Sequence, residues 1–158
     1  PNKEGVNWFL QKVWPLLSKR GYKAVIAGLG STDLKALEGV NYLGYVDDLE
    51  PLYSTAKVVI CPILSGAGIK MKVLEAVANG VPLVTTSIGL SGLEGLEVHP
   101  EVRIADTEQR FAEELIDLIE NANEVEQGRG PLEWLESNML EPKAWVSLVR
   151  ELCIPKDT

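Results

Sequence analysis

The sequence predicts an α/β fold, a Rossmann-like three-layer α/β/α sandwich built on a mainly parallel sheet. Short apolar runs typical of buried strands alternate along the chain with amphipathic helical patterns, and this alternation indicates a parallel sheet covered on both faces. The length of 158 residues suits one domain with one hydrophobic core. We therefore expect a single Rossmann-like domain over residues 1–158.

The N-terminal part is predicted to form two helices and two strands in alternation. Apolar residues at helical spacing indicate a helix over residues 6–18, in which Pro15 is a possible kink or early stop. An apolar run that ends in glycines predicts a buried strand at 23–27. A small helix is expected at 32–37, and "VNYLGYV" predicts a second strand at 40–46.

The middle of the chain continues this alternation. A helix is predicted at 49–56, and either Asp47 or Asp48 is expected to accept hydrogen bonds from its first free N–H groups. "KVVICP" predicts a third strand at 57–62. After a further helix, a fourth strand is expected at 82–85.

The C-terminal part begins with a glycine-rich stretch at 87–96, which we expect to be a loop. "VRIA" predicts a fifth strand at 102–105, and a long helix follows with Asp106 or Thr107 as its cap. A terminal helical segment is expected at 131–152.

Charge and composition exclude several function classes. A net charge of −8 argues against a nucleic-acid partner, because proteins that bind the phosphate backbone usually carry a basic stripe. Cys61 and Cys153 lie far apart without CxxC spacing, and His99 is the only histidine, so we expect neither a metal site nor a disulfide framework. A reduced, cytoplasmic location is the default expectation for such a chain.

Two further expectations concern membranes and the start of the chain. No stretch approaches ~18 consecutive apolar residues and no basic-then-apolar leader opens the sequence, so we expect no membrane span and no signal peptide in this segment. The chain begins at Pro1 without a methionine. We interpret it as an excised domain whose upstream part is missing.

Ligands of parallel α/β sheets bind beyond the carboxyl ends of the strands, and two glycine-rich loops occupy such positions. In the first, "GLGSTD", Gly28 and Gly30 follow a strand, but Asp33 stands where the dinucleotide fingerprint requires its third glycine. This loop is weak support for a nicotinamide cofactor. Its glycines are better explained by a tight strand-to-helix turn.

The second loop, within "SGAGIKMKVLEAVANG", is the stronger candidate. Gly66 and Gly68 let the backbone approach a ligand just before a helix that is predicted to begin near Ile69 or Lys70. Free N–H groups and the helix dipole at that end favour an anion, whereas Lys70 is unfavourable there unless an anion joins it. The sequence therefore predicts a phosphate site at this loop.

The polar face of the same helix carries Lys72 and Glu75, and the opposite face carries apolar core residues. In one interpretation the two side chains form a surface i,i+3 pair that stabilises the helix by ~0.2–0.5 kcal/mol. In the functional interpretation Lys70 and Lys72 hold a diphosphate, and Glu75 accepts hydrogen bonds from ribose hydroxyls. The spacing leaves both interpretations open.

These motifs, above all "GAGIKMKVLEAVANGVPLVTT" followed by "GLSGLEG", resemble the C-terminal half of a GT-B glycosyltransferase of the group 1, family 4-like type. The resemblance covers nearly the whole chain. It implies that two Rossmann-like domains face each other across a cleft and that this one binds a nucleoside-diphosphate sugar, such as a UDP or GDP sugar. It also implies transfer with retention of anomeric configuration, without a metal or other cofactor, to an acceptor bound by the missing N-terminal domain.

The resemblance implies roles for individual residues. Lys70 and Lys72 match diphosphate contacts, and Glu75 matches the second glutamate of the family's E-x7-E element, which contacts the donor ribose. Ala67 replaces the first glutamate of that element, which is compatible with a variant subgroup, a different donor or an inactive domain; we favour the variant subgroup. Lys70 and Glu75 are the implied catalytic residues. The implied substrate-binding residues are Gly66, Ala67, Gly68, Ile69, Lys70, Lys72, Glu75 and, by backbone contact with the base, Val46.

Two other functions are kept as alternatives. Ala67 is compatible with a non-catalytic nucleotide-binding or regulatory module. A nicotinamide-dependent Rossmann enzyme is disfavoured by the failed fingerprint at Asp33. The leading hypothesis is the donor-binding half of a cytoplasmic glycosyltransferase, and we expect this fragment alone to bind nucleotide but to turn over little or nothing.

Overall fold

The computed structural model describes residues 2–121 and 130–139 of the chain. The α-helices of this part are α1 (Asn2–Trp8), α2 (Trp14–Ser18), α3 (Glu50–Thr55), α4 (Met71–Ala78), α5 (Ser87–Leu90), α6 (Glu108–Glu120) and α7 (Gly130–Asn138). Its strands are β1 (Ala24–Ala27), β2 (Val40–Gly44), β3 (Val59–Cys61), β4 (Leu83–Thr85) and β5 (Val102–Ile104). A π-helical stretch, Phe9–Val13, joins α1 to α2, and single 3-10 turns lie at Ser31–Asp33 and Leu96–Val98.

The strand pairs of the described residues are all parallel, and they form two separate sheets. In the first sheet β1 pairs with β2, with Ala24 opposite Val40 and Ile26 opposite Tyr42. In the second sheet β4 lies between β3 and β5. The predicted Rossmann-like α/β class and the parallel pairing are confirmed, whereas the one sheet that we expected is divided.

Alternate residues of the second sheet point to opposite helix layers. Ile60 and Val84 pack in one core cluster with side chains of α1, α2 and α6. Cys61 and Leu83 pack in a second core cluster with side chains of α4 and α7. Because successive side chains of a strand point to opposite faces, helices cover both faces of this sheet and form the outer two of three layers.

The first helix is longer than predicted and changes its geometry before its proline. The helical segment begins at Asn2 and continues through Pro15 to Ser18, so the predicted early stop of the helix at Pro15 is wrong. The Trp14 N–H donates to the Phe9 carbonyl, five residues back, in the π-helical pattern. Pro15 has no N–H to donate and its ring crowds the preceding turn, so an extra residue in that turn lets the helix continue.

Two short elements differ from their predictions. The helix expected at 32–37 is only the 3-10 turn at Ser31–Asp33, because the next residue already has an extended backbone. The stretch at 87–96, expected to be a loop, contains α5. Thr86 caps this helix by accepting a hydrogen bond from the Gly89 N–H at 3.1 Å. A threonine before the helix was a possible N-cap signal, but the glycine-rich composition that follows it favoured a loop.

The structure distinguishes between the alternative helix caps. Asp48 Oδ1 accepts a hydrogen bond from the Glu50 N–H at 2.9 Å, at the start of α3. Thr107 caps α6, while the Asp106 carboxylate accepts hydrogen bonds from the backbone and hydroxyl of Ser87. In each predicted pair, therefore, one residue accepts a hydrogen bond from an N–H group at the start of the helix: Asp48 at α3 and Thr107 at α6.

The strands occupy the predicted places but are shorter. The second strand ends at Gly44, which has a left-handed φ of 70°, instead of reaching residue 46. Of the terminal segment expected at 131–152, residues 131–138 lie in α7 and residues 140–152 lie outside the described part of the chain.

Candidate functional site

A cleft lies where the carboxyl end of β3 leads into α4, and its volume is about 330 Å³. The residues that line it are Ile63, Ser65, Gly66, Ala67, Ile69, Lys70, Met71, Lys72 and Glu75. Most of the predicted site residues are therefore brought to one place. Gly68 belongs to the same loop without lining the cleft, and Val46, which follows β2, does not line it either.

Two left-handed glycines shape the loop before α4. Gly66 has a φ of 109° and Gly68 a φ of 78°, conformations that residues with a side chain rarely adopt. The Lys70 ammonium donates hydrogen bonds to both of their carbonyl oxygens, at 2.9 Å to Gly66 and 2.7 Å to Gly68. Lys70 therefore holds the loop in one turn, a role that its position in the sequence did not reveal.

Helix α4 begins at Met71, just after the predicted start, with Lys70 at its N-cap in an extended conformation. No side chain in the described part of the chain caps this end, and its first turn carries no acidic residue. The first turn of an uncapped helix has free N–H groups at the positive end of the helix dipole. Together with the nearby lysines, they give the cleft an electrostatic setting that favours an anion.

The Glu75 carboxylate is held by a tyrosine from another helix. The Tyr53 hydroxyl on α3 donates a hydrogen bond to Glu75 Oε2 at 2.9 Å, and both side chains are half-buried. No ion pair joins Lys72 to Glu75 within the residues that the structure describes. The interpretation of these two side chains as a surface pair is therefore not supported. Tyr53 was missed because it lies far from Glu75 in the sequence.

Cys61 ends β3 next to the charged groups of the cleft and is 1% exposed. Burial raises the pKa of its thiol to about 12, while the charge of Lys72 lowers the pKa and that of Glu75 raises it to smaller extents. The thiol is therefore protonated at neutral pH. Because the thiolate is the reactive form, Cys61 is a core residue and not a nucleophile.

Two threonines at the end of β4 fix the segment that leads into the cleft. The buried Thr85 hydroxyl donates to the Cys61 carbonyl at 2.8 Å, and the buried Thr86 hydroxyl donates to the Ile63 carbonyl. A Cβ at Gly89 would lie 2.0 Å from Thr85 Oγ1, so α5 packs directly against these hydroxyls. No sequence signal indicated this support, because the threonines lie 24 and 23 positions away from the carbonyls that they bind.

The start of α1 also reaches the cleft. The Ser65 hydroxyl donates to Glu4 Oε2 at 2.9 Å. A Cβ at Gly5 would lie 1.6 Å from the Pro62 carbonyl oxygen, so only glycine allows this approach. The first turn of α1 is thus packed on the residues that join β3 to the glycine loop. No sequence signal connected Glu4 with this site.

The first glycine-rich loop forms a turn. Gly28 and Gly30 have φ angles of 124° and 79°, and Ser31 Oγ accepts a hydrogen bond from the Gly44 N–H at 2.9 Å. Only a 3-10 turn follows, whereas the dinucleotide fingerprint requires a helix whose N-terminus receives the pyrophosphate. The structure therefore favours the turn interpretation over a nicotinamide site.

Residues 2–121 and 130–139 contain neither a cluster of metal-ligating side chains nor a helix that could span a membrane. None of their His, Cys, Asp and Glu side chains gather in a group of three or more that could hold a metal ion. Every helix in that part of the chain is too short or too polar to cross a membrane.

Comparisons with known proteins agree with the resemblance. The family model for group 1 glycosyl transferases matches residues 1–121. The chain is also similar to a curated protein of Klebsiella pneumoniae, named "Uncharacterized 44.6 kDa protein in cps region", with 28% identity over 165 residues. The match covers 95% of this chain and 42% of the relative's length. Because the family model covers most of the sequence, the chain belongs to the group 1 glycosyl transferase family.

Proposed function

We propose that this chain is a single nucleotide-sugar-binding domain, the donor half of a retaining, metal-independent glycosyltransferase. The observation that carries the proposal is the cleft itself. A left-handed glycine loop, an uncapped helix N-terminus, two lysines and a half-buried glutamate meet around one space of about 330 Å³. This volume lies at the lower end of the range for small-molecule sites.

The diphosphate of the donor lies against the glycine loop and the first turn of α4. Lys72 is exposed and forms no ion pair within the described part of the chain, so its ammonium is available for a phosphate oxygen. Lys70 is already bonded to Gly66 and Gly68, so it acts by shaping the loop and by adding positive charge beside it. The two lysines therefore have different roles at the same anion.

The nucleoside and the sugar lie on either side of the diphosphate. Glu75 accepts hydrogen bonds from the ribose hydroxyls while Tyr53 holds its carboxylate in place. The transferred sugar lies at the loop of residues 66–69. Val46 does not line the cleft, and its role as a backbone contact for the base is supported by the resemblance alone.

The domain contributes to catalysis mainly through electrostatics. During transfer the bond between the anomeric carbon and the diphosphate oxygen breaks, and negative charge grows on the departing diphosphate. Lys70, Lys72 and the N–H groups of α4 stabilise this charge, and Glu75 keeps the donor aligned. The acceptor oxygen forms the new glycosidic bond, and its proton passes to an oxygen of the departing diphosphate, which leaves with it. The groups that bind this acceptor belong to the N-terminal domain.

A non-catalytic nucleotide-binding or regulatory module is the second candidate function. One observation favours it: Ala67 lines the cleft where the resemblance implies a glutamate, so the loop offers the sugar no carboxylate at that position. Nucleotide binding by the whole protein without sugar transfer to any acceptor would support this candidate.

Calorimetric titration of the whole protein with UDP and GDP, together with a transfer assay using UDP and GDP sugars, tests the proposal. We expect one nucleotide to bind and Lys72→Met to weaken its affinity roughly tenfold, through loss of a charge-assisted hydrogen bond. Lys57→Met is the matched control, because Lys57 is exposed before the start of β3, away from the cleft. The proposal fails if neither nucleotide binds, or if the control loses as much affinity as Lys72→Met.

A further inference from the structure

A second carboxylate lies beside the cleft, on a different helix from Glu75. Glu4 is in the first turn of α1, and its Oε2 accepts a hydrogen bond of 2.9 Å from the hydroxyl of Ser65, which lines the cleft. Glu4 itself is exposed and is not one of the lining residues. Its carboxylate is therefore at the rim of the cleft, one hydrogen bond away from the wall.

Main-chain packing fixes the place of this carboxylate. Gly5 is buried and approaches the Pro62 carbonyl so closely that a Cβ would lie 1.6 Å from its oxygen. Farther along the same helical segment, Phe9 is 2% exposed and belongs to the hydrophobic core. Because α1 is anchored in this way, it cannot move away from the glycine loop without loss of core packing, and Glu4 stays next to Ser65.

Most of the hydrogen-bonding capacity of the Glu4 carboxylate is unused. An ionised carboxylate has about four acceptor sites, and the Ser65 hydroxyl occupies one of them. No ion pair joins Glu4 to a lysine or an arginine within residues 2–121 and 130–139. A negative charge in the first turn also stabilises α1 through the helix dipole, but that effect leaves the remaining acceptor sites free.

The glycine loop offers a sugar no side-chain acceptor of its own. Residues 66–69 have the sequence "GAGI", whose side chains accept no hydrogen bond, and the carbonyl oxygens of both glycines already accept from the Lys70 ammonium. Sugar hydroxyls are hydrogen-bond donors, and a donor that loses water without gaining an acceptor weakens binding. At this end of the cleft, Glu4 has the free acceptor sites that the loop lacks.

We infer that Glu4 accepts hydrogen bonds from hydroxyl groups of the transferred sugar, an inference that rests on the proposed function. From Ser65 through the lysines to Glu75, the site then has a carboxylate, positive charge and a second carboxylate, in the order of sugar, diphosphate and ribose in the donor. The cleft of about 330 Å³ is small for such a donor, so the sugar extends to the rim where Glu4 lies.

The charge of Glu4 also limits the class of sugar. A sugar that carries a carboxylate of its own, such as a hexuronic acid, meets a like charge at the rim, and like charges repel most strongly where solvent is partly excluded. The expected donor therefore carries an uncharged sugar with free hydroxyl groups.

Calorimetric titration of the whole protein with UDP, GDP, UDP-glucose, UDP-galactose, UDP-N-acetylglucosamine and GDP-mannose tests the inference. For the sugar nucleotide that binds most tightly, we expect Glu4→Gln to weaken the affinity roughly tenfold, through loss of charge-assisted hydrogen bonds. The affinity for the corresponding nucleoside diphosphate should stay within about twofold, which also shows that the variant is folded. Glu38→Gln is the matched control, because Glu38 is exposed and precedes β2, whereas the cleft follows β3.

The outcomes separate this inference from the proposed function. If the wild type binds a nucleoside diphosphate but Glu4→Gln weakens the sugar nucleotide no more than the nucleoside diphosphate, or no more than Glu38→Gln does, the role of Glu4 is overturned and the nucleotide site stands. If the wild type binds neither UDP nor GDP, the proposed function fails and the inference fails with it.

A hexuronic acid donor with the same base, UDP-glucuronic acid or GDP-mannuronic acid, supplies a second measurement. We expect the wild type to bind it more weakly than the uncharged hexose donor, and Glu4→Gln to reduce this preference roughly tenfold, because the variant lacks the repelling charge. A preference that Glu4→Gln leaves unchanged would contradict the proposed limit on the sugar.

Discussion

Replacing Lys70 with methionine tests how the glycine loop is held. The variant keeps an unbranched side chain but loses the ammonium that donates to Gly66 and Gly68. A hydrogen bond to a charged group contributes about 1.5–3 kcal/mol. Because both bonds lie in an exposed loop, where solvent weakens them, we assign about 0.5–1 kcal/mol to each. The open state of the loop is the one in which residues 66–70 leave this turn. The combined loss of about 1–2 kcal/mol raises the population of that state roughly 5- to 30-fold.

The assay combines hydrogen exchange of the ligand-free whole protein with titration by UDP and GDP. We expect the amides of residues 66–70 in Lys70→Met to exchange roughly 5- to 30-fold faster than in the wild type. The affinity for nucleotide should fall by at least the same factor, because binding must then reorder the loop and also lacks one positive charge.

Lys72→Met is the matched comparison, since it removes the same charge two positions along the chain. Lys72 donates no hydrogen bond to the loop within the described part of the structure, so this variant should lose nucleotide affinity without faster loop exchange. Unchanged exchange in Lys70→Met, or equal acceleration in both variants, would refute the role of Lys70 in holding the loop.

Three further predictions follow from individual contacts. Tyr53→Phe removes the hydroxyl that holds Glu75, so the affinity for nucleoside diphosphate should fall roughly tenfold while that for inorganic diphosphate stays the same; equal losses would contradict the ribose assignment. Gly89→Ala places a Cβ 2.0 Å from Thr85 Oγ1, so thermal or urea unfolding should show a loss of about 1–3 kcal/mol, and unchanged stability would refute this packing. Burial raises the pKa of the Cys61 thiol from 9.0 to about 12, so between these values the unfolded chain loses a proton that the folded chain keeps. The stability due to this thiol is therefore complete below pH 9 and declines as the pH rises towards 12, and Cys61→Val should remove that decline in urea titrations. The same decline in both proteins would contradict the shift.

Local patterns predicted most of the fold. The runs around Val59 and Leu83 were identified as strands because apolar side chains that pack on both faces must follow one another in sequence. The run around Ala24 is also a strand, but the prediction that it is buried was wrong, because Val25 is 53% exposed and no residue of β1 is buried. The predictions failed in two segments where individual hydrogen bonds, and not the overall composition, decide the local structure. The π-helical stretch before Pro15 and the α5 helix capped by Thr86 depend on individual hydrogen bonds that composition does not reveal.

The sequence also predicted the location of the candidate site, because the glycine loop, both lysines and Glu75 lie within ten consecutive positions. It did not predict how each side chain is held. Lys70 is predicted to act at a ligand, but nothing in the sequence indicated that it also bonds to the carbonyls of its own loop, a geometry that depends on the left-handed conformations of Gly66 and Gly68.

By itself the sequence determined the class of the fold, the order of its strands and helices, and the segment that carries the cleft. These properties depend on the periodicity and chemistry of neighbouring residues. Only the tertiary structure decided that Tyr53 holds Glu75, that Glu4 reaches Ser65, and that the described strands form two sheets instead of one. These features join residues distant in sequence, and no local spacing encodes which distant partners the folded chain brings within a few ångströms of each other.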